Sequence, residues 1–256
     1  MNISIEKISQ NIAVEFVKKY HYSKIIPKIT RFYLGIHLDN SLVGVVLLGY
    51  GTQPYNTIQK IFYRHKMETS DYIEIGKMCF IDTLNNDKCF GSMAMSKLIQ
   101  WLKNNTDYHF LYTLADGIVG KCGYIYQASN FTYIGKFKTS VYLDNNTGEK
   151  IHPRSSNKLL EENAKFEKKE KLFWLTDSFC KFKNIDLIQG YMFRYIYPLN
   201  KNAKKLLLEY NEYLNIPYPK DGDLIYEKRI AKGKFEKISK PEFNRDVLNY
   251  NYQCED

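Results

Sequence analysis

Between residues 31 and 143 the chain alternates strand-like and helix-like segments, and that order confines it to few folds. Arg31–Leu38 and Leu42–Gly49 are strand-like runs joined by the turn residues Asp39-Asn-Ser41, which predicts a β-hairpin. Tyr72–Ile81 reads as a third strand, its odd positions Ile73, Ile75, Lys77, Cys79 and Ile81 on one face. Lys77 is then a charge on an otherwise apolar face. Gly91–Lys103 reads as a helix, with Met95, Leu98, Ile99 and Leu102 at helical spacing. A strand at His109–Leu114, a helix at Ile118–Ser129 and strands at Phe131–Phe137 and Thr139–Leu143 follow. Upstream, residues 9–20 form an amphipathic helix that Ser9 can cap. Strands alternating with helices predict an α/β fold in three layers with crossovers.

Beyond the Asn145–Gly148 turn the character changes. Leu159–Lys171 is dense in charge and reads as a solvated helix inside a charged insertion of about residues 152–189. Gly190–Tyr197 is the expected last strand and Lys201–Leu214 an amphipathic helix. From Ile216 on, prolines, charges and weak periodicity predict a peripheral or partly disordered tail. The expected division is a catalytic domain over 1–200 and a C-terminal helix and tail over 201–256.

Composition narrows the function. Thirty-seven Lys and Arg against 28 Asp and Glu give a formal charge of +9, which suits a polyanionic partner or an anionic cofactor. No apolar run reaches the roughly 20 residues of a membrane helix, and the start lacks signal-peptide patterning. Five cysteines without a C-x-x-C pair read as reduced thiols of a cytoplasmic protein, with no zinc or other metal site. The 22 tyrosines accompany abundant Lys, Asn and Ile and read mostly as codon bias; Tyr22 and Tyr126 stand apart.

No P-loop, G-x-G-x-x-G, H-E-x-x-H or G-x-S-x-G occurs. Chemistry is therefore sought at strand–helix junctions, where open α/β sheets place ligands. At the first, Lys88, Gly91 and Ser92 enter a helix whose N-terminus suits a phosphate or acts as a plain cap. At the second, Asp116 either caps a helix or serves as a base. At the third, Tyr126 is either a core aromatic or a proton donor. His21-Tyr22 adds a titratable ring and an aromatic face.

The run Thr113-Leu-Ala-Asp116, then Gly120-x-x-Gly123-x-Ile-Tyr-Gln-Ala-Ser-Asn-Phe131, resembles the signature of the Mom family. Supporting pieces are His21-Tyr22, the glycine-marked hairpin, Glu74-Ile-Gly-Lys-Met78, His152-Pro-Arg154 and Arg194-Tyr195; the likeness covers roughly residues 8–200. Mom proteins modify adenine in phage DNA to its methylcarbamoyl form and so evade host restriction. The resemblance implies a GNAT-like mixed central sheet flanked by helices, with a C-terminal region added. It implies a transferase acting on adenine N6 of double-stranded DNA in the host cytoplasm, with a small-molecule group donor. The residues it implies are His21, Tyr22, Lys77, Ser92, Asp116 and Tyr126, with Thr113, Gly91 and Lys88 beside the donor. Expected roles are Asp116 as base or amine orienter, Tyr126 as proton donor and Lys77 as charge stabiliser. Ser92 would hold the donor, and His21 and Tyr22 would line the site. Lys77 stands for a family arginine, Lys121 and Phe193 for family histidines. Of the coenzyme A loop, Lys88 and Gly91 persist while Met93 replaces a small residue, so the donor stays open between an acyl thioester and other carriers. A GNAT-type N-acyltransferase for a small-molecule or protein amine is the first alternative, a non-catalytic basic DNA-binding protein the second.

Overall fold

The structure, a computed structural model, describes residues 2–85, 89–152 and 156–250. Its strands are β1 (Ile3–Lys7), β2 (Ile29–Leu38), β3 (Ser41–Tyr50), β4 (Tyr72–Phe80), β5 (Phe110–Asp116), β6 (Thr132–Asp144), β7 (Lys150–Ile151), β8 (Ile185–Pro198), β9 (Glu227–Ala231) and β10 (Lys234–Lys237). Its helices are α1 (Gln10–Tyr20), α2 (Pro54–Ile61), α3 (Asp82–Asn85), α4 (Phe90–Asn105), α5 (Tyr124–Ala128), α6 (Asn157–Phe166), α7 (Asp177–Lys183), α8 (Lys201–Leu208) and α9 (Asn211–Leu214). Packing divides the chain into two units, with boundaries inside β5, β6 and β8 and in the loops after Cys122 and Pro219. The first runs to Ala115 and takes in Gly123–Gly135 and Phe193–Pro219; the second holds Asp116–Cys122, Lys136–Met192 and the chain from Lys220.

The first unit is a mixed sheet in the order β1-β2-β3-β4-β5, continued by its portions of β8 and β6. The β2–β3 hairpin turns at Asp39 (φ 46°) and Asn40 (φ 69°), two left-handed residues as a two-residue hairpin turn requires. β3 is buried from Val43 to Gly49, which explains its unbroken apolar run: both faces are covered. Ser9 caps α1 as expected, accepting the Ile12 N–H, and Ala13, Phe16 and Val17 pack on Val45, Leu47 and Cys79. A second cluster joins α2 and α8 to Tyr72, Phe110, Tyr112 and Ile196.

The second unit is built on β7, β6, β8, β9 and β10. α6, α7 and the connection between them cover it through Leu159, Phe179, Cys180 and Leu175, which pack with Tyr142 and Ile185.

Several expectations change. β4 pairs with β3 through Lys77↔Leu47 and then Ile75↔Leu48, so Gly76 is an extra residue, a β-bulge. The bulge reverses the alternation: Lys77 shares its face with Glu74, because their partners Leu47 and Gly49 lie two apart on β3. The expected face of Ile73, Ile75 and Lys77 is thereby split. The helix predicted over 118–129 is a 3-10 turn (Gly117–Val119) and the separate α5, parted by Gly120 and Gly123 at φ 83° and 94°. The two strands predicted over 131–143 are one, β6, and the helix over 201–214 is two, α8 and α9. β8 is not the last strand, since β9 and β10 follow within the supposed tail. β1 and α2 had no sequence expectation.

Candidate active site

The bulge on β4 organises the first unit's polar residues. Lys77 Nζ donates to the Ser23 carbonyl at 3.1 Å and lies 5.9 Å from the centroid of the Tyr22 ring. His21 is buried and stacks on Tyr22, ring centroids 4.2 Å apart. His21 Nδ1 lies 2.9 Å from both the backbone nitrogen and the carbonyl oxygen of Ser23. The structure therefore brings three predicted residues together: His21 holds the turn, Tyr22 supplies a ring face, and Lys77 places a cation against that ring.

Glu74, two positions before the bulge, was not among the expected site residues. Its carboxylate accepts one hydrogen bond, from the Gly51 N–H at 3.2 Å. Burial pushes it from 4.5 up to about 7, and the Gly51 bond offsets only part of that. A carboxylate poised near neutrality suits general-base work. Tyr72 and Tyr112 are raised above the ordinary phenol range, first by burial and then by the Glu74 charge.

Tyr126 stands on α5, its ring 5.4 Å from that of Tyr195 and 5.5 Å from Phe131. Gly123 starts this helix in a left-handed conformation, where a Cβ would come within 2.5 Å of the Tyr195 ring. Burial raises the Tyr126 hydroxyl; Thr113 pulls it partly back and the Glu74 charge adds to the rise. Thr113 is fully buried and its Oγ1 has no hydrogen-bond partner among the described residues, so the two hydroxyls are neighbours without a formed bond. Thr113 and Tyr126 are thus a second group that the fold assembles; Glu74 pairs with Tyr112 and Thr113 with Ile75, so Glu74 lies on the other face of the sheet from Thr113 and reaches Tyr126 only through its charge.

The remaining residues are placed otherwise. Asp116 belongs to the second unit. Its Oδ1 accepts the Ile118 N–H at 3.0 Å, capping the 3-10 turn, and its Oδ2 accepts from Lys150 Nζ at 2.5 Å. Both carboxylate oxygens are engaged, which suits a structural anchor better than a free base. Gly91 meets α5: a Cβ there would lie 2.9 Å from Ile125, so the missing side chain permits helix packing. The Ser92 hydroxyl donates to the Cys89 carbonyl at 2.9 Å, and Cys89 precedes the first helical residue without a side-chain cap. Lys88 and Arg154 lie outside the described residues. Gly91 and Ser92 are thus committed to packing and to a local bond. Neither is left free to line the open pyrophosphate cradle that coenzyme A needs.

Glu74 had two sequence signals, its place in the Glu74-Ile-Gly-Lys-Met78 motif and the glycine two residues later: a glycine inside a strand pattern marks a bulge. The tyrosine wall around it had none.

A sequence model of the Mom protein family matches residues 2–220, and the chain belongs to that family. It is 29% identical over 158 residues to the methylcarbamoylase Mom of Escherichia phage Mu, a match covering 60% of this chain. The chain spans 62% of the length of that curated relative. Solved structures with some likeness include an N-acetyltransferase from Staphylococcus aureus Mu50 (14% identity, 78% of this chain and 99% of that one, TM-score 0.39). A probable acetyltransferase from Staphylococcus epidermidis ATCC 12228 is another (10% identity, 78% and 100%, TM-score 0.41).

Proposed function

We propose that this chain is a DNA-modification transferase that adds methylcarbamoyl, or a closely related small acyl-derived group, to N6 of adenine in DNA. The match to the Mom family over residues 2–220 carries this reading. In the host cytoplasm such a group would mask the base from restriction endonucleases.

The chemistry sets three demands. The N6 amine is a weak nucleophile because its lone pair is delocalised into the ring, so base and donor must be held in register. As the new N–C bond forms, N6 must lose a proton; as the bond from carbon to leaving group breaks, the leaving group must gain one. Glu74 is the proposed acceptor of the N6 proton, being a carboxylate that burial holds near neutrality on the face of Lys77. Tyr126 is the proposed donor to the leaving group. Lys77 supplies positive charge where negative charge develops on the donor. Tyr22 offers its ring to an extruded base, since a base inside a duplex must leave the stack to react. Asp116 holds the strand end after Thr113 through its cap and its ion pair with Lys150.

Co-expression with a plasmid, digestion to nucleosides and mass spectrometry test the proposal. The expected result is a deoxyadenosine of increased mass that disappears with Tyr126→Phe. Unmodified nucleosides in a permissive host expressing soluble protein refute it.

A further inference from the structure

The segment Lys165–Phe182 in the second unit exposes large aromatic side chains. Phe173 is 71% exposed, Trp174 61%, Phe182 67% and Phe166 42%. Such side chains normally bury their surface, and a concentration of them marks an interaction surface. The rings are held. Phe166 stacks on Phe182 at 4.9 Å and meets the buried Phe179 edge-on at 5.5 Å, which ties the pair to the core. The Trp174 carbonyl accepts from Asn163 Nδ2 at 2.8 Å, fixing the connection to α6.

The charges on this surface are sorted. Most of its acids are engaged within the protein: Glu162 pairs with Lys183, Asp177 with Arg229, and Glu167 accepts from the Thr176 and Ser178 hydroxyls, while Glu161 and Glu170 are exposed and make no ion pair among the described residues. Its exposed cations are not: among the described residues Lys165, Lys168, Lys169, Lys171 and Lys181 make no ion pair. Lys171 instead lies over the Phe173 ring at 5.0 Å. The result is a set of aromatic faces ringed by unpaired ammonium groups.

We propose that this surface docks duplex DNA, lysines on phosphates and Phe173 and Trp174 against base or sugar faces at a loosened step. Lysine supplies the sequence-independent grip, and an aromatic wedge helps to unstack a base that must be extruded. The inference rests on the reading of the chain as a DNA-modifying transferase and names the surface that would hold its substrate. Charge complementarity favours DNA over a second copy of this basic chain, whose identical surface would repel it.

The test is a salt titration of full-length protein on a fluorescent DNA duplex, read by anisotropy. Lys168→Gln/Lys169→Gln/Lys171→Gln should flatten the plot of log affinity against log salt by about 0.9 per lost phosphate contact. Phe173→Ala/Trp174→Ala should weaken binding roughly tenfold or more at unchanged slope, as loss of a stacking platform does. The control Lys201→Gln/Lys204→Gln/Lys205→Gln removes the same charge from α8, where all three are exposed. Circular dichroism confirms folding of each variant. If both arm variants bind like the unaltered chain, or the control loses as much as they do, the docking proposal is overturned. If the arm variants change a monomer–dimer equilibrium and leave DNA affinity intact, the surface is a self-association face and the proposal again fails. If the unaltered chain modifies DNA in cells while arm variants retain full binding, only the docking assignment falls; if no modified base forms, the functional reading falls with it.

Discussion

Glu74 is where chemistry and stability pull against each other. A carboxylate raised by burial binds a proton more tightly folded than unfolded. The sign is therefore opposite to that of a salt-bridged acid: stability falls as pH climbs from 4.5 to about 7. The full shift corresponds to about 3 kcal/mol. Glu74→Gln is expected to raise stability at pH 8 by up to about 3 kcal/mol and to change little at pH 4, measured by urea denaturation at both values. The same variant should lose roughly 10²–10⁴-fold in modification rate, together with the limb of the pH profile that rises through about 7. Tyr126→Phe keeps the ring contacts with Tyr195 and Phe131 and removes only the hydroxyl. A fall of at least 10²-fold in rate with unchanged melting temperature is expected, and a normal rate would exclude the proton-donor role. His21, Tyr22, Lys77 and Tyr126 were legible as residues of interest, Glu74 only as part of a motif. Its importance comes from desolvation, and how deeply a side chain is buried is not written in local sequence.

Elements were legible where their period is long and their neighbours are close in sequence. The β2–β3 hairpin and α1 appear as expected because the turn residues and the Ser9 cap act locally. The reading fails at the bulge and at the glycine pair. Whether Gly76 continues or interrupts the ladder depends on β3, and only pairing shows that Lys77 and Glu74 share a face. Gly120 and Gly123 turn one apparent helix into a 3-10 turn and α5, which sets the position of Tyr126. Gly123→Ala would place a methyl against the Tyr195 ring and force a left-handed alanine, at a cost of roughly 2–4 kcal/mol. A thermal melt within 2 °C of the unaltered chain would contradict that close approach.

At the scale of the whole molecule, the sequence suggested a long body and a loose tail. The second unit instead includes β9 and β10, and its last described residues are bound. Glu149 is fully buried and accepts the Asn249 and Tyr250 N–H groups at 2.9 and 3.0 Å; Asn244 donates to the Gly148 carbonyl at 2.8 Å. A chain truncated after Phe243 loses those donors and leaves a buried carboxylate short of partners. About 3 kcal/mol of stability should be lost, visible as a lower urea midpoint. An unchanged midpoint would mean that the terminal segment does not cover Glu149. By itself the sequence determined the α/β class, the basic surplus and the Mom signature. Composition, periodicity and a contiguous motif are all properties of neighbours along the chain. Only the tertiary structure decided that Glu74 shares a face with Lys77, that Thr113 and Tyr126 adjoin, that Asp116 is occupied by Lys150, and which of the described lysines make no ion pair. Those outcomes depend on strand register and burial, which are settled by residues tens of positions apart.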